Sequence, residues 1–349
     1  MHIVDYPDPD IKEICYWLKE YMHCKNSYIS YRTVTFRFFL WTHRQNIRLN
    51  YLQRKNVLDY ISFIQNPAPD WCGTCRGFEN PDWRPFKKSL SPASVYHNIK
   101  ILRQMFAYFI NSGYLKRNPF FLNIKYHSII KERFIDRCLT RDECMLILDY
   151  AKNLPVHSDG ELERKIRINW ILQLLLYTGG RKTETNSANM GDLVYIDGRL
   201  WLRVLGKGNK MGDIPVLKCL EHSLNEYRAF YGLPLISRRK NDESHIPIII
   251  KSSNNNDYER LNATHLCYII KKLCGSLADS IDDEILAKKL RKVSPHWFRH
   301  TSATLQVEAG VDVHIVQQNL RHSSINTTMQ YVHTSKNQQH DETLQKFTF

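Results

Sequence analysis

The first group of residues whose types could carry out chemistry follows a pair of glycines in the middle of the chain. Arg181 follows Gly179 and Gly180 directly, at the end of an apolar stretch, and Glu184 stands three residues further on. Glycines allow the backbone to turn sharply at a helix end, and a planar guanidinium suits two phosphate oxygens at once. The pattern predicts an arginine presented to an anion and steered by Glu184, although such an arginine is also common in surface ion pairs.

A short β-meander is predicted next, and it carries a lysine. Segments 193–197 and 200–205 are typical of strands, and an Asp-Gly pair between them is a strong hairpin signal. Lys207 then stands in a glycine-bearing turn. Its ammonium could approach a phosphate there and give up a proton, although solvated lysines in turns are very common.

A histidine and an arginine open a later helix. Ser294 and Pro295 predict its first turn, and His296 and Arg299 share one face because they are three residues apart. Free amides and the helix dipole favour anions at such an end. The pair therefore points to one phosphate-sized site.

The last chemical signal ends at Tyr331. Ser324 or Asn326 can cap a short helix that carries this tyrosine, and His322 lies in the loop before it. A late tyrosine is usually half-buried packing, and a lone histidine is usually a surface residue. The order of the four signals therefore carries more weight than any one of them.

Taken together, these signals resemble the tyrosine recombinase (phage integrase) family. The shared pattern is an arginine with a glutamate three later, a lysine in a β-turn, His-x-x-Arg-His, and a histidine followed nine residues later by tyrosine. It covers residues 171–335 closely, and residues 20–125 resemble the family's helical core-binding domain more loosely. Arg321 replaces the usual glycine before His322, Gly180 replaces an apolar residue, and the lysine turn lacks a usual basic residue.

The resemblance implies attack by Tyr331 on a DNA phosphodiester, which leaves a 3′-phosphotyrosyl bond. A phenol has a pKa of about 10, so its proton must be removed or its anion stabilised. Arg181 and Arg299 are then expected to clamp the transition-state charge, and His322 to donate a further hydrogen bond.

The resemblance assigns three supporting roles. Lys207 is expected to protonate the departing 5′ hydroxyl, His296 to assist as a general base, and Glu184 to hold the basic cluster in place. Neither metal, ATP nor small-molecule cofactor is expected. The expected partners are double-stranded DNA at specific recombination sites and three further copies of the chain, a homotetramer on synapsed DNA.

Composition agrees with a DNA partner without requiring one. Lys and Arg exceed Asp and Glu by 49 to 35 among 349 residues, a formal net charge of +14, which favours a polyanion. A basic protein with no role on nucleic acid is the plain alternative. The beginning of the chain is unlike a signal peptide, no apolar run approaches a spanning helix, and the cysteines are scattered. We expect a cytoplasmic protein away from membranes.

The fold class expected is mainly α with a small antiparallel β-sheet (α+β). We predict a helical core-binding, DNA-binding domain at 1–128 with an inserted loop at 66–90, a linker at 129–138, and a tyrosine-recombinase catalytic domain at 139–349. Its tail, 335–349, is expected to pack on a neighbouring subunit or on its own domain.

Four basic residues of the first domain are candidates for DNA contact. Arg32 and Arg37 lie on a predicted helix, and Lys100 and Arg103 lie off the apolar stripe of another, which begins at Ser91. Such rows track a DNA backbone, but they are also typical of solvated faces.

Three other functions stay open. Cys72 and Cys75 would supply half of a zinc site, as in an adaptor protein, although zinc normally needs four ligands, and we predict no metal. A type IB topoisomerase uses a related set of residues without exchanging partners. A DNA-binding regulator could keep the fold without catalysis. For a recombinase, a mobile-element task is favoured over resolution of chromosome dimers.

Overall fold

The computed structural model describes residues 8–74, 80, 82–120, 137–206, 210–239, 241–254 and 257–332. Contacts divide the chain into two units, Met1–Glu132 and Arg133–Phe349. Helices dominate both, and the strands form small antiparallel sheets. The predicted fold class is therefore confirmed. In the described part of the chain, no helix is long and apolar enough to cross a membrane.

The first unit is built from helices around an aromatic core. Its described helices are α1 (Pro9–Lys19), α2 (Lys25–Arg44), α3 (Arg54–Gln65) and α4 (Pro92–Asn111). As the sequence predicts, Ser91 caps α4 by accepting from the Ser94 amide. Phe38 of α2 is fully buried, and its ring meets those of Tyr60, Phe106 and Phe120 edge-on at 4.8–5.9 Å.

The segment predicted as a surface loop, 66–90, is partly core, so that prediction is wrong for part of its length. Trp71 and Phe86 are 7% and 1% exposed, and Cys72 bridges to Phe86 through the backbone. Their apolar area joins the aromatic core instead of standing away from it. Cys72 is half-buried, whereas Cys75 lies outside the described residues.

The second unit surrounds one long central helix with shorter ones. Its helices are α5 (Arg141–Lys152), α6 (Asp159–Thr178), α7 (Lys182–Ser187), α8 (Lys218–Phe230), α9 (Ala263–Ala278), α10 (Glu284–Leu290), α11 (Pro295–Glu308), α12 (Val313–Leu320) and α13 (Ile325–Thr328). Helix α6 packs against α5, α8 and α11, with Ile171 and Leu175 fully buried. Thr140 and Glu143 form a capping box at the start of α5.

The predicted β-meander is present, and a second sheet accompanies it. Strands β1 (Leu193–Ile196), β2 (Arg199–Leu205) and β3 (Met211–Pro215) pair antiparallel in that order. Asp197 and Gly198 turn the first hairpin with φ of +50° and +72°, as an Asp-Gly hairpin requires. Lys207, predicted to stand in a turn, lies outside the described residues.

The second sheet was not predicted from the sequence. It is a hairpin of β4 (Ile250–Asn254) and β5 (Asp257–Arg260). Asn254 ends β4, while residues 255–256 lie outside the described part of the chain.

Candidate active site

The corner between α6 and α7 presents the first arginine. Helix α6 ends at Gly179, whose φ is +55°, a conformation that favours glycine. A Cβ there would stand 2.7 Å from Leu320 and 2.9 Å from the Ser302 hydroxyl. The glycine therefore lets the corner approach α11 and α12, and Arg181 becomes the N-cap residue of α7.

A buried carboxylate, Glu184, fixes both the backbone and the side chain of Arg181. Glu184 is 4% exposed and accepts from Arg181 Nη1 at 2.7 Å and from its backbone amide at 3.2 Å. The Arg181 side chain is nevertheless 40% exposed. Its guanidinium is thus held in one orientation while part of it still faces solvent.

Arg299 supplies a second and deeper positive charge. It is 3% exposed and donates to the carbonyls of Gly179 and Leu320 at 2.8 and 2.5 Å, which ties α11 to the ends of α6 and α12. Burial and the nearby Arg181 lower the pKa of Arg299 to about 10. Carbonyls satisfy its donors without cancelling its charge, so the corner favours an anion.

Tyr331 lies against two histidines. It follows α13 in a 3-10 turn, Met329–Tyr331, and is 8% exposed. Its hydroxyl is 2.6 Å from His300 Nδ1, and its ring stacks on His322 with centroids 6.3 Å apart. Burial raises the pKa of Tyr331, and Arg299 opposes that rise.

The histidines are held in the neutral form. Burial lowers the pKa of His300 and of His322 to about 4, and Arg299 adds to both shifts. His296 is exposed at the start of α11. Its pKa is lowered as well, chiefly by partial desolvation and next by the charge of Arg299. Its ring centroid lies 4.3 Å from that of His300. At neutral pH each imidazole can therefore donate one hydrogen bond and accept another without adding positive charge to the site.

Arg321, the departure from the family pattern, is part of the same cluster. It adopts a φ of +54°, so the left-handed turn before His322 forms without a glycine. Its side chain forms an ion pair with Glu184, donates to the Val204 carbonyl at 3.2 Å and lies against Gly212. Arg321 thus joins the loop of His322 to the carboxylate of Glu184 and to the β2–β3 hairpin.

Most of the catalytic residues predicted from the sequence meet in this one region of the second unit. The region contains Arg181, Glu184, His296, Arg299, His322 and Tyr331. The sequence interpretation gave no role to His300 or Arg321. His300 is the second histidine of His-x-x-Arg-His, and Arg321 was noted only because it replaces the usual glycine. Both residues were therefore visible in the sequence, but their contact partners were not.

The four candidates for DNA contact have different surroundings in the first unit. Lys100 and Arg103 are exposed on α4, and Arg32 of α2 is half-buried. Arg37 instead donates through Nε and Nη2 to the Pro85 carbonyl at 3.2 and 2.9 Å. Those bonds hold the 66–90 segment, so Arg37 has a structural role in its own unit.

Comparison with known proteins agrees with this site. The phage integrase family model matches residues 137–338. The chain is 27% identical over 248 residues, 70% of its length and 73% of the relative's, to the tyrosine recombinase XerC of Thermodesulfovibrio yellowstonii. It is 24% identical to XerC of Staphylococcus carnosus over 93% of this chain and 92% of that protein.

Solved structures share the fold. A post-cleavage complex of the XerH site-specific recombinase with a palindromic difH substrate matches with a TM-score of 0.64 at 17% identity, over 92% of this chain and 80% of that one. The Tn1549 transposon integrase in complex with transposon right end DNA also matches with a TM-score of 0.64, at 16% identity over 97% and 99%. With a family model that covers more than half of its residues, the chain belongs to the phage integrase family and is a tyrosine recombinase, an enzyme that cleaves and rejoins DNA strands.

Proposed function

We propose that this recombinase cuts double-stranded DNA at specific sites with Tyr331 as nucleophile, through a 3′-phosphotyrosyl intermediate. The observation that carries the proposal is the position of the Tyr331 hydroxyl. The hydroxyl lies within hydrogen-bond distance of His300 and is influenced by the positive charge of the buried Arg299. The hydrogen bonds of Arg299 go to neutral carbonyls, so they do not cancel that charge. A scissile phosphate beside that hydroxyl would receive a nucleophile and a clamp from one cluster.

In the proposed transition state, charge collects on the non-bridging phosphate oxygens. Arg181 offers exposed donors to them, and Arg299 offers its charge at depth. His322 Nδ1 lies 2.8 Å from the Thr328 hydroxyl. If that hydroxyl donates, the imidazole proton is on Nε2, and a neutral His322 still donates to the phosphate.

Three further roles come from the family pattern. Lys207 protonates the departing 5′ hydroxyl, His296 assists proton transfer beside His300, and Glu184 fixes Arg181. A covalent intermediate keeps the energy of the phosphodiester, so another 5′ hydroxyl can reseal the strand without ATP or a metal.

DNA binding by the first unit is part of the proposal. Lys100 and Arg103, exposed on α4, and Arg32, half-exposed on α2, are the side chains proposed to neutralise backbone phosphates.

The wider task is proposed as integration, excision or transposition of a mobile element by a tetramer on two synapsed duplexes. Strand exchange between two duplexes needs four nucleophiles. The likeness to the Tn1549 transposon integrase supports the mobile-element role. The family's division into a core-binding domain at 1–128, a linker at 129–138 and a catalytic domain at 139–349, with a subunit-bridging tail at 335–349, is proposed with it.

The test uses a plasmid that carries the DNA flanking the protein's own gene. Purified protein is mixed with it and denatured, and protein-linked DNA is measured beside a Tyr331→Phe control. We expect a 3′ adduct with the natural protein alone, and products with exchanged ends. An adduct without exchange would indicate a topoisomerase-like enzyme, and tight binding without any adduct would contradict catalysis by Tyr331.

A further inference from the structure

The hydroxyl of Tyr331 has a buried hydrogen-bond partner that the family pattern leaves without a role. His300 Nδ1 lies 2.6 Å from that oxygen, and the two residues are only 5% and 8% exposed. A hydrogen bond this short and this dry restricts both groups to one geometry. The contact therefore involves the atom that must lose a proton during attack.

The position of His300 suits proton transfer better than that of His296. His296 precedes it by one helical turn, packs on its ring edge-on, and is exposed at the start of α11. The distance that joins a ring nitrogen to the nucleophile belongs to His300. A general base must lie about 2.6–3.2 Å from the oxygen that carries the proton, and His300 meets that requirement.

We infer that His300 is a catalytic residue of this recombinase and is the proton acceptor for Tyr331. The inference rests on the proposed attack by Tyr331. In the step, the Tyr331 oxygen forms a bond to phosphorus and the phenolic proton passes to His300 Nδ1. The bond from phosphorus to the 5′ oxygen breaks, and that oxygen takes the proton of the general acid proposed above. In the reverse step, a 5′ hydroxyl gives its proton to that group and attacks phosphorus, Tyr331 leaves, and His300 returns the proton to it.

Electrostatics keeps His300 ready for this role. Burial, followed by the effects of His296, Arg299, Arg137 and His322, lowers its pKa to about 4, and the Tyr331 hydroxyl is in direct contact with it. The ring is therefore neutral and can accept at neutral pH. A phosphate bound beside Arg299 brings negative charge into the cluster, which raises the proton affinity of His300 when the substrate is in place.

The test combines two His300 variants with a more acidic phenol. His300→Asn can retain a hydrogen bond to Tyr331 but cannot take a proton, and His300→Gln serves in its place if the asparagine variant folds poorly. Each is prepared with tyrosine or with difluorotyrosine at position 331. His222→Asn, a change at a histidine that is 79% exposed on α8, is the matched control. The readout is the single-turnover rate of adduct formation on a nicked DNA substrate, with DNA affinity measured in parallel.

We expect His300→Asn to form the adduct about 100-fold more slowly with unchanged DNA affinity, and difluorotyrosine to recover most of that loss. His222→Asn should match the natural protein. Equal losses with both phenols would show that His300 only positions the ring, and an undiminished or faster rate would show a resting contact; either overturns the inference while the proposed function stands. Absence of any adduct from the natural protein would overturn both.

Discussion

Two arginine–glutamate pairs of the second unit lie in opposite surroundings. Arg228 and Glu243 are both buried and form two hydrogen bonds of 2.7 and 2.8 Å, and Arg228 Nε donates to the Pro234 carbonyl. Arg181 meets Glu184 through a single side-chain bond, and its side chain stays 40% exposed. All three nitrogens of the Arg228 guanidinium donate within the protein, whereas the Arg181 guanidinium has one short bond to Glu184 and one long bond of 3.5 Å from Nη2 to the Arg321 carbonyl.

The difference separates an arginine whose donors are used inside the protein from one that keeps donors for a ligand. At Arg228 every donor group is used inside the protein, so the pair can only hold α8 to the segment that contains Glu243. At Arg181, the carboxylate fixes the orientation and leaves donors for a ligand. The nearby Arg299 adds positive charge that its carbonyl partners do not neutralise, so this corner favours binding of an anion.

The largest change in stability is expected at the saturated pair. Arg228→Met leaves Glu243 buried without its partner and should lower the free energy of unfolding by about 3–5 kcal/mol, measured by urea denaturation. Adding Glu243→Leu should restore much of the loss, because both buried charges are then removed. Strand cleavage per folded molecule should stay unchanged, and a large loss of cleavage would remove the distinction between the two pairs.

The reverse pattern is expected at Arg181. Arg181→Ala should slow adduct formation by about 100- to 1,000-fold, the usual effect of removing one donor from a transition-state oxyanion. Unfolding should change by about 1 kcal/mol or less, since Glu184 keeps its pair with Arg321. Arg181→Lys preserves the charge without the planar fork and should recover only part of the rate. A destabilised but fully active Arg181→Ala protein would contradict the comparison.

The crowded site should also respond to pH where the saturated pair does not. Because His300 has a folded pKa of about 4, below the usual value of about 6.5, the unfolded chain takes up its proton first as pH falls. The stability from a neutral His300 is complete above about pH 6.5. It should decline by about 3 kcal/mol toward pH 4.

Urea titrations across that range measure this decline. His300→Asn is the control that should remove the His300 share and leave the share of His322, whose pKa is also lowered to about 4. The double variant Arg228→Met/Glu243→Leu removes both charges of the saturated pair and should leave the slope of the curve unchanged. A slope that is unaffected by His300→Asn would mean that other groups carry the pH dependence.

The smallest effect is expected at Arg321, which links the two kinds of behaviour. Arg321→Gly relieves a left-handed backbone by about 1 kcal/mol but removes the ion pair with Glu184 and the bond to Val204. The free energy of unfolding should therefore change little. The rate of cleavage should fall about tenfold, or about 1.4 kcal/mol, because Glu184 and the β2–β3 hairpin each lose a contact with this side chain. Arg321→Lys should lie between. Faster cleavage by Arg321→Gly would show that the family glycine is simply better here.

Local signals explain what the sequence could reveal. The Thr140–Glu143 box and the Asp197–Gly198 turn act within a few residues, so pattern alone predicts the elements that they begin or join. Gly179 and Glu184 stand beside Arg181 in the chain, and the role of that corner was therefore readable.

Distant partners explain what the sequence could not reveal. Arg37 looks like any basic residue until the Pro85 carbonyl, 48 positions away, accepts its donors. Trp71 and Phe86 lie among prolines typical of loops, yet they fill the core. His300 gains its meaning from Tyr331, 31 positions later, and only the folded chain brings those two atoms together.

The most direct test of the central claim is the identity of the linked residue. After cleavage of DNA, digestion with nuclease and trypsin should leave a nucleotide on the peptide of residues 322–336, in which Tyr331 is the only tyrosine. Mass spectrometry is expected to place a 3′-phosphate bond on that side chain. A nucleotide on another residue, or on this tyrosine through a 5′-phosphate, would contradict the account.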